Sequence, residues 1–277
     1  MLKLMYITNK PEVAKIAENA GVDRIFVDME YLWKAERQGG LDTVQNRHNV
    51  EDVKRLRSVL TNAELLTRIN PVHESVDGIV DTREEIESVI EAGTDIIMLP
   101  YFKTVAEVEK FIELVDGRAK TMLLLETPEA VELVDEILEV KGIDEIHIGL
   151  NDLSLGYKKK SMFEVLTDGT VERLCGKFKA ARIAYGFGGV AAPEKGLLPS
   201  ELILMEHYRL GSGCVILSRS FCNPELVDMD EIRQTFAEGI SEMRKYEQMY
   251  SQYDAETFEN NRKDVKERVE NILKNMK

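Results

Sequence analysis

Short apolar runs recur along residues 1–220, and nearly every one is followed by a stretch whose apolar positions return at helical spacing. The runs predict strands over residues 2–8, 24–30, 64–70, 95–100, 122–125, 146–150, 185–191 and 214–219. Between them the pattern predicts helices over 11–20, 49–60, 82–92, 104–115, 128–140, 161–181 and 199–210. The strand runs are mostly continuous rather than alternating, as expected for strands covered on both faces. Strand–helix units at a period of about 25 to 35 residues predict an α/β fold, a (β/α)8 TIM barrel. No glycine-rich phosphate fingerprint follows the first strand, which weighs against a dinucleotide-binding sheet. A long polar loop, residues 31–47 with Trp33, Arg37, Gly39 and Gly40, separates the second strand from its helix.

The best-defined unit is residues 120–152. Two apolar runs end in carboxylates, Glu126 and Asp152, with an amphipathic helix between them. Pro128 suits a first helical turn, and Thr127 before it is a candidate N-cap. A short strand–helix–strand unit makes parallel neighbours, so the spacing of 26 residues puts both carboxylates at the same ends of adjacent strands.

After the eighth strand the chain has more helix than a barrel needs. One helix runs from residue 228 to about 250, with Ile232, Phe236, Ile240 and Met243 on one face. Asp254 caps a second, whose apolar face holds Phe258, Val265, Val269, Ile272, Leu273 and Met276. This divides the chain into a barrel domain, residues 1–225, and a C-terminal helical extension, residues 226–277. The extension is expected to pack on a neighbouring subunit, the other arrangement being a cap on its own barrel.

Charge and cysteine content narrow the function. A formal charge of −14 argues against nucleic acid or an anionic membrane as partner, since either needs a basic surface. No run reaches the roughly 18 apolar residues of a membrane span. The apolar start is too short for a signal peptide and is interrupted at Thr8-Asn9-Lys10-Pro11. Cys175, Cys214 and Cys222 lack metal-ligand spacing and fit a reducing, cytoplasmic setting.

Active sites of such barrels lie at the C-terminal ends of the strands. Those ends carry Asp28, Glu30, Arg68, Asn70, Glu126, Asn151, Asp152 and Arg219. Any one of them is equally explained as a turn residue. Several carboxylates on one rim repel unless a cation offsets them, and carboxylates with open positions suit Mg2+ or Mn2+ better than zinc. His48, His73, His147 and His207 offer no competing pair at helical ligand spacing, and His147, inside a strand run, reads as packed.

The blocks FVDMEY (26–31), LLTRINP (65–71), DIIMLPYFKT (95–104), LLLETPEAV (123–131) and GLNDLSLG (149–156) occur in this order. Together they resemble the HpcH/HpaI aldolase and citrate lyase β-subunit family of the phosphoenolpyruvate/pyruvate barrels, over about residues 5–220. The resemblance implies a metal-dependent carbon–carbon lyase, of aldehyde-lyase or oxo-acid-lyase type, working through a metal-stabilised enolate of a 2-keto acid or acyl thioester. It implies Glu126 and Asp152 as ligands of Mg2+ or Mn2+, Arg68 on the substrate carboxylate or enolate oxygen, and substrate contact at Asn151 and Asp152. It also implies a homo-oligomer, a dimer or hexamer with the C-terminal helix exchanged between barrels. Two positions depart from the aldolase pattern. Tyr31 stands where a D-x-E-H motif has histidine, and Leu124 stands where a glutamine precedes the metal glutamate. Both lean toward the citrate lyase-like branch, whose strand-two motif resembles D-x-E-D, although its last Asp is missing too. Asp28 and Glu30 are the candidates for the base, their alternative role being to orient Arg68 or nearby waters.

Of three rival readings, the Schiff-base one is discounted and two stay open. A Schiff-base aldolase needs a lysine inside the barrel, whereas Lys10 and Lys103 lie in loops. A phosphoenolpyruvate-handling enzyme shares the GLND block, but no phosphohistidine-type segment is present. A non-catalytic binding or assembly protein that kept the barrel and lost the base is favoured by Tyr31. Lys158, Lys159 and Lys160 are read as a solvated loop before an anion-gathering one. Gly188, Gly189, Gly211 and Gly213 admit either close packing or a phosphate.

Overall fold

Each of the expected strands pairs with parallel neighbours on both sides. The computed structural model describes residues 1–33, 48–76, 78–193 and 196–276. Strands β1 (Lys3–Ile7), β2 (Arg24–Asp28), β3 (Glu64–Arg68), β4 (Ile96–Leu99), β5 (Lys120–Leu125), β6 (Glu145–Ile148), β7 (Ala184–Val190) and β8 (Cys214–Leu217) close into a barrel in chain order. Around them lie α1 (Pro11–Asn19), α2 (Val50–Val59), α3 (Thr82–Glu91), α4 (Val105–Val115), α5 (Pro128–Glu132), α6 (Val134–Ile137), α7 (Leu150–Gly156), α8 (Glu164–Thr167), α9 (Thr170–Ala181) and α10 (Ser200–Leu210). Two long helices follow, α11 (Met229–Tyr250) and α12 (Ala255–Asn275). The expected loop with Arg37, Gly39 and Gly40 lies outside the described residues from position 34 to 47.

Alternation along the strands sets three levels inside the barrel, because every second side chain points inward. At the N-terminal end, Arg24 is fully buried and meets Glu145 through Nη1 at 2.7 Å and Nη2 at 2.5 Å, while its Nε donates to Glu64 at 2.9 Å. Two residues on, Phe26, Leu66, Met122 and Leu124 form an apolar plug with Met5, Ile96, Met98 and Cys214. Two residues further, Asp28, Arg68 and Glu126 reach the C-terminal mouth, with Asp28 and Arg68 facing each other in register. The outward side chains join the apolar layer between strands and helices.

Local chemistry explains the helix starts. Asn49 and Thr104 make reciprocal capping boxes with Asp52 and Glu107. Thr127 caps α5 as expected, its Oγ1 accepting from the Ala130 N–H at 3.1 Å, with Pro128 at the first position. The single helix expected over 128–140 is instead two short ones that meet at Leu133, where ψ is 11°. The stretch 161–181 likewise divides, Gly169 with φ 92° separating α8 from α9.

Strand β7 shows why glycine is needed there. A Cβ at Gly186 would sit 2.2 Å from the Cys214 carbonyl oxygen, and one at Gly188 would sit 2.6 Å from Leu150 Cδ1. Close packing, rather than room for a phosphate, accounts for these two positions.

The apolar faces of the last helices are largely covered by the chain's own barrel. Helix α11 buries Ile232, Phe236, Ile240 and Met243 and lies against α1 and α10. The Phe236 ring meets Tyr6 edge-on at 4.8 Å. Arg244 and Glu247 clasp the start of β1, Nη1 of Arg244 donating to the Leu2 carbonyl at 2.8 Å and the Leu2 N–H donating to Glu247 at 2.5 Å. Helix α12 buries Val265 and Val269 against α10 and α8, while Met276 stays 40% exposed. Cys175, Cys214 and Cys222 are buried free thiols. No helix of the described residues is long and apolar enough to cross a membrane.

Two glycines provide a paired test of this packing. Gly186→Ala should cost about 3 kcal/mol in urea unfolding, because a Cβ cannot share space with a backbone oxygen. Gly176→Ala, in the middle of α9 with nothing within 4 Å of its Cβ position, should stabilise by about 0.5–1 kcal/mol.

Candidate active site

The mouth of the barrel is built around one arginine. Arg68 Nε and Nη2 donate to the two oxygens of Asp28, both at 2.8 Å, and Nη1 lies 3.3 Å from Glu30 Oε2. The guanidinium rests over the Phe26 ring at 5.6 Å, so the apolar plug supports it from below. Burial alone would weaken its hold on the proton, but the charges of Asp28, Glu30 and Glu126 hold its pKa well above the ordinary value. Asp28 and Glu30 both contact the Arg68 guanidinium, the contacts that the alternative role weighed in the sequence requires.

A polar brace fixes the chain after β2. Asn70 Oδ1 accepts the N–H groups of Tyr31 and Leu32, both at 3.0 Å. Behind it, Glu85 on α3 accepts from Asn70 Nδ2 at 2.9 Å and from the Asn70 N–H at 3.2 Å. Burial pushes the Glu85 carboxyl up to about 7, against the lowering effect of the Asn70 donors and of His73. His48, read as scattered in the sequence, also belongs to this rim: its Nδ1 accepts the Asp28 N–H at 3.1 Å.

Glu126 is the inward residue that follows Met122 and Leu124, and it is 3% exposed. Its Oε1 accepts the Tyr101 N–H at 3.2 Å, from a residue held in the left-handed region at φ 49°. The next residue anchors it too, Thr127 Oγ1 donating to the Phe102 carbonyl at 2.7 Å. Room for the carboxylate comes from Gly149, where a Cβ would lie 2.7 Å from Glu126 Oε2. Asp152 is not at a strand end as expected. Strand β6 stops at Ile148, Gly149 caps α7, and Asp152 sits half-buried in the first turn of that helix, where the helix dipole favours an acid. Asn151 beside it is exposed.

These residues fit a hard divalent cation better than a transition-metal cage. Among the described residues no three His, Cys, Asp or Glu side chains group as metal ligands. Asp28, Glu30 and Glu126 are each at most 3% exposed, and all three interact with one guanidinium. A Mg2+-like ion that keeps its waters needs only one or two protein carboxylates.

Other candidates are accounted for elsewhere. His147 lies inside the barrel as a packed, neutral imidazole: Nε2 donates to the Gly188 carbonyl at 3.0 Å, and burial brings its pKa down to about 4. Lys159 pairs with Asp168 at 3.2 Å. Lys103 pairs with Glu129 at 3.3 Å and lies over the Tyr101 ring. The parts of His48, Tyr101, Glu85 and Gly149 depend on contacts between distant segments and were not assigned from the sequence.

The sequence profile of the HpcH/HpaI aldolase/citrate lyase family matches residues 3–197. No curated protein matches the chain in sequence. Among solved structures, an HpcH/HpaI aldolase from Desulfitobacterium hafniense DCB-2 superposes with a TM-score of 0.60 at 17% identity, covering 88% of this chain and 93% of that one. An HpcH/HpaI aldolase/citrate lyase family protein from Burkholderia cenocepacia J2315 gives 0.62 at 14% identity, covering 86% and 93%. The citrate synthase SbnG gives 0.58 at 15% identity, covering 87% and 92%.

Glu85 makes stability depend on pH. Its folded pKa, about 7, lies above the ordinary 4.5, so between these values the folded chain binds more protons than the unfolded one. Stability should therefore fall as pH rises from 4.5 to 7, by up to about 3 kcal/mol from this group. Glu85→Gln should remove that slope and melt higher than the parent at pH 8, with the two converging near pH 4.5. Parallel slopes for the two proteins would rule Glu85 out as the source.

Proposed function

Because the chain belongs to the HpcH/HpaI aldolase/citrate lyase family, we propose that it is a divalent-metal-dependent carbon–carbon lyase acting through the enolate of a 2-keto acid or acyl thioester. The observation that carries this reading is the half-buried Arg68, gripped by Asp28 at 2.8 Å and flanked by Glu30 at a strand-end mouth that also holds Glu126. Cleaving a bond β to a carbonyl builds negative charge on the carbonyl oxygen. A guanidinium fixed in advance stabilises that charge without reorganising during the reaction. Asp28 engages Arg68 with both oxygens and is assigned to hold it. Glu30, whose contact with Arg68 is the longer, is assigned to move the proton between substrate and protein.

Glu126 and Asp152 would hold Mg2+ or Mn2+, which when bound supplies Lewis-acid stabilisation of the same developing charge. Asn151, exposed beside Asp152, is assigned to substrate contact. In the proposed assembly the protein is a homo-oligomer, and static light scattering at micromolar concentration should give at least twice the 31.5 kDa chain mass.

The rival, a barrel that binds but does not react, is supported by Tyr31 at the position of the family base and by the engagement of Asp28 with Arg68. Enolate formation separates the two. The wild-type protein with pyruvate and Mg2+ in D2O should exchange the methyl protons, followed by NMR, and EDTA should stop the exchange reversibly. An absence of exchange with pyruvate and with acyl thioesters alike would favour the binding protein. Arg68→Lys keeps the charge and loses the planar fork, so it should lower the exchange rate by about 10²–10³. If the pair with Asp28 is only structural, the exchange rate should survive and the melting temperature should fall instead.

A further inference from the structure

On the other side of the mouth from Glu126, the ends of β8 and β1 enclose a cavity of about 620 Å3, a size typical of small-molecule sites. Its apolar lining includes Ile7 and Ile216, which pack against the interior plug. Two cations line it, and they differ in kind. Lys10 is neutralised by Glu225 at 2.7 Å. Arg219 is exposed and makes no ion pair or side-chain hydrogen bond among the described residues. Among the described residues these three charges leave the lining with one net positive charge, on a chain of net charge −14. His48 also lines the cavity, and its hydrogen bond to the Asp28 N–H joins this wall to the Arg68 cluster.

The geometry points to a second-substrate subsite in this cavity: a short carbon chain lies over the apolar lining and ends in an oxyanion, carboxylate or phosphate, on Arg219. This assignment deepens the proposed lyase reading and takes it as its premise. Arg219 draws the anionic end of that chain to the β8–β1 side of the mouth, which separates the two reacting partners before chemistry begins. Arginine suits the role because its fork meets either oxyanion in two hydrogen bonds. Arg219 is thus a specificity-determining residue, distinct from Arg68.

Binding tests this without requiring turnover. Full-length protein in EDTA is titrated with butyrate, n-propyl phosphate and n-butanol, followed by ligand-observed NMR. Butyrate, propyl phosphate or both should bind saturably and n-butanol much more weakly; the stronger of the two anions identifies the preferred headgroup. Arg219→Gln should weaken anion binding by about tenfold or more. Glu225→Gln, which releases Lys10 and raises the cavity charge, should tighten it. Both side chains are at the surface, so neither change threatens the fold. Anion binding that is unchanged in Arg219→Gln, or that is lost in Arg68→Lys instead, would overturn the assignment. The deuterium exchange of pyruvate by wild-type protein is read separately. Its failure would retire the lyase reading while leaving the cavity result standing, and the converse holds equally.

Discussion

A closed barrel fixes which side chains face its axis, and it does so in steps of two residues. Arg24, Phe26 and Asp28 are one such ladder, and Glu64, Leu66 and Arg68 are its neighbour. Once β2 and β3 are in register, Asp28 must face Arg68, and a guanidinium taken out of water must be paired there. Breaking such a pair by removing one partner typically costs about 3–5 kcal/mol, because the other charge stays buried. The same alternation places Glu126 at the top of β5. The barrel thus stacks a charged floor, an apolar plug and a charged mouth. The plug separates the two ionic layers, so the Arg24–Glu145 pairs below stabilise the barrel without entering the mouth's chemistry.

The mouth is asymmetric. On the β2–β6 side the described carboxylates gather around Arg68, and structural devices shape this rim: the Asn70–Glu85 brace behind the Tyr31 and Leu32 amides, the strained Tyr101 amide on Glu126, and the missing side chain at Gly149. On the β8–β1 side the described lining combines apolar side chains such as Ile7 and Ile216 with a small positive excess from Arg219. Such a division suits a reaction in which one partner is activated as an enolate while another is brought alongside it.

Most of the fold was legible in the sequence because apolar periodicity and helix caps are local. The eight runs found their strands, and Thr127 and Pro128 opened a helix as their chemistry requires. Helix breaks at Leu133 and Gly169 were missed because the apolar pattern continues through them. The site was legible only as a set of strand-end residues. Asp28, Glu30, Arg68 and Glu126 do converge, since strand alternation is enough to bring them together. Asp152 was misplaced by a helix that begins at Leu150, one residue after a glycine that also makes room for Glu126. The brace at Asn70, the amide of Tyr101 and the ring of His48 depend on contacts across 15 to 25 residues, and no spacing rule in a single sequence announces them. The long C-terminal helices illustrate the same limit, since an apolar helix face looks the same whether its own barrel or a neighbour covers it.

In the proposed lyase reading a divalent cation is seated on Glu126, at the C-terminal end of β5. Electron paramagnetic resonance of Mn2+ during titration of the wild-type chain and of Glu126→Gln tests it most directly. One Mn2+ per chain should bind the wild type and be displaced by Mg2+, and binding should be largely lost in Glu126→Gln while the circular dichroism spectrum and melting profile stay those of a folded barrel. Equal Mn2+ affinity in the two proteins, or no binding by the wild type, would contradict it.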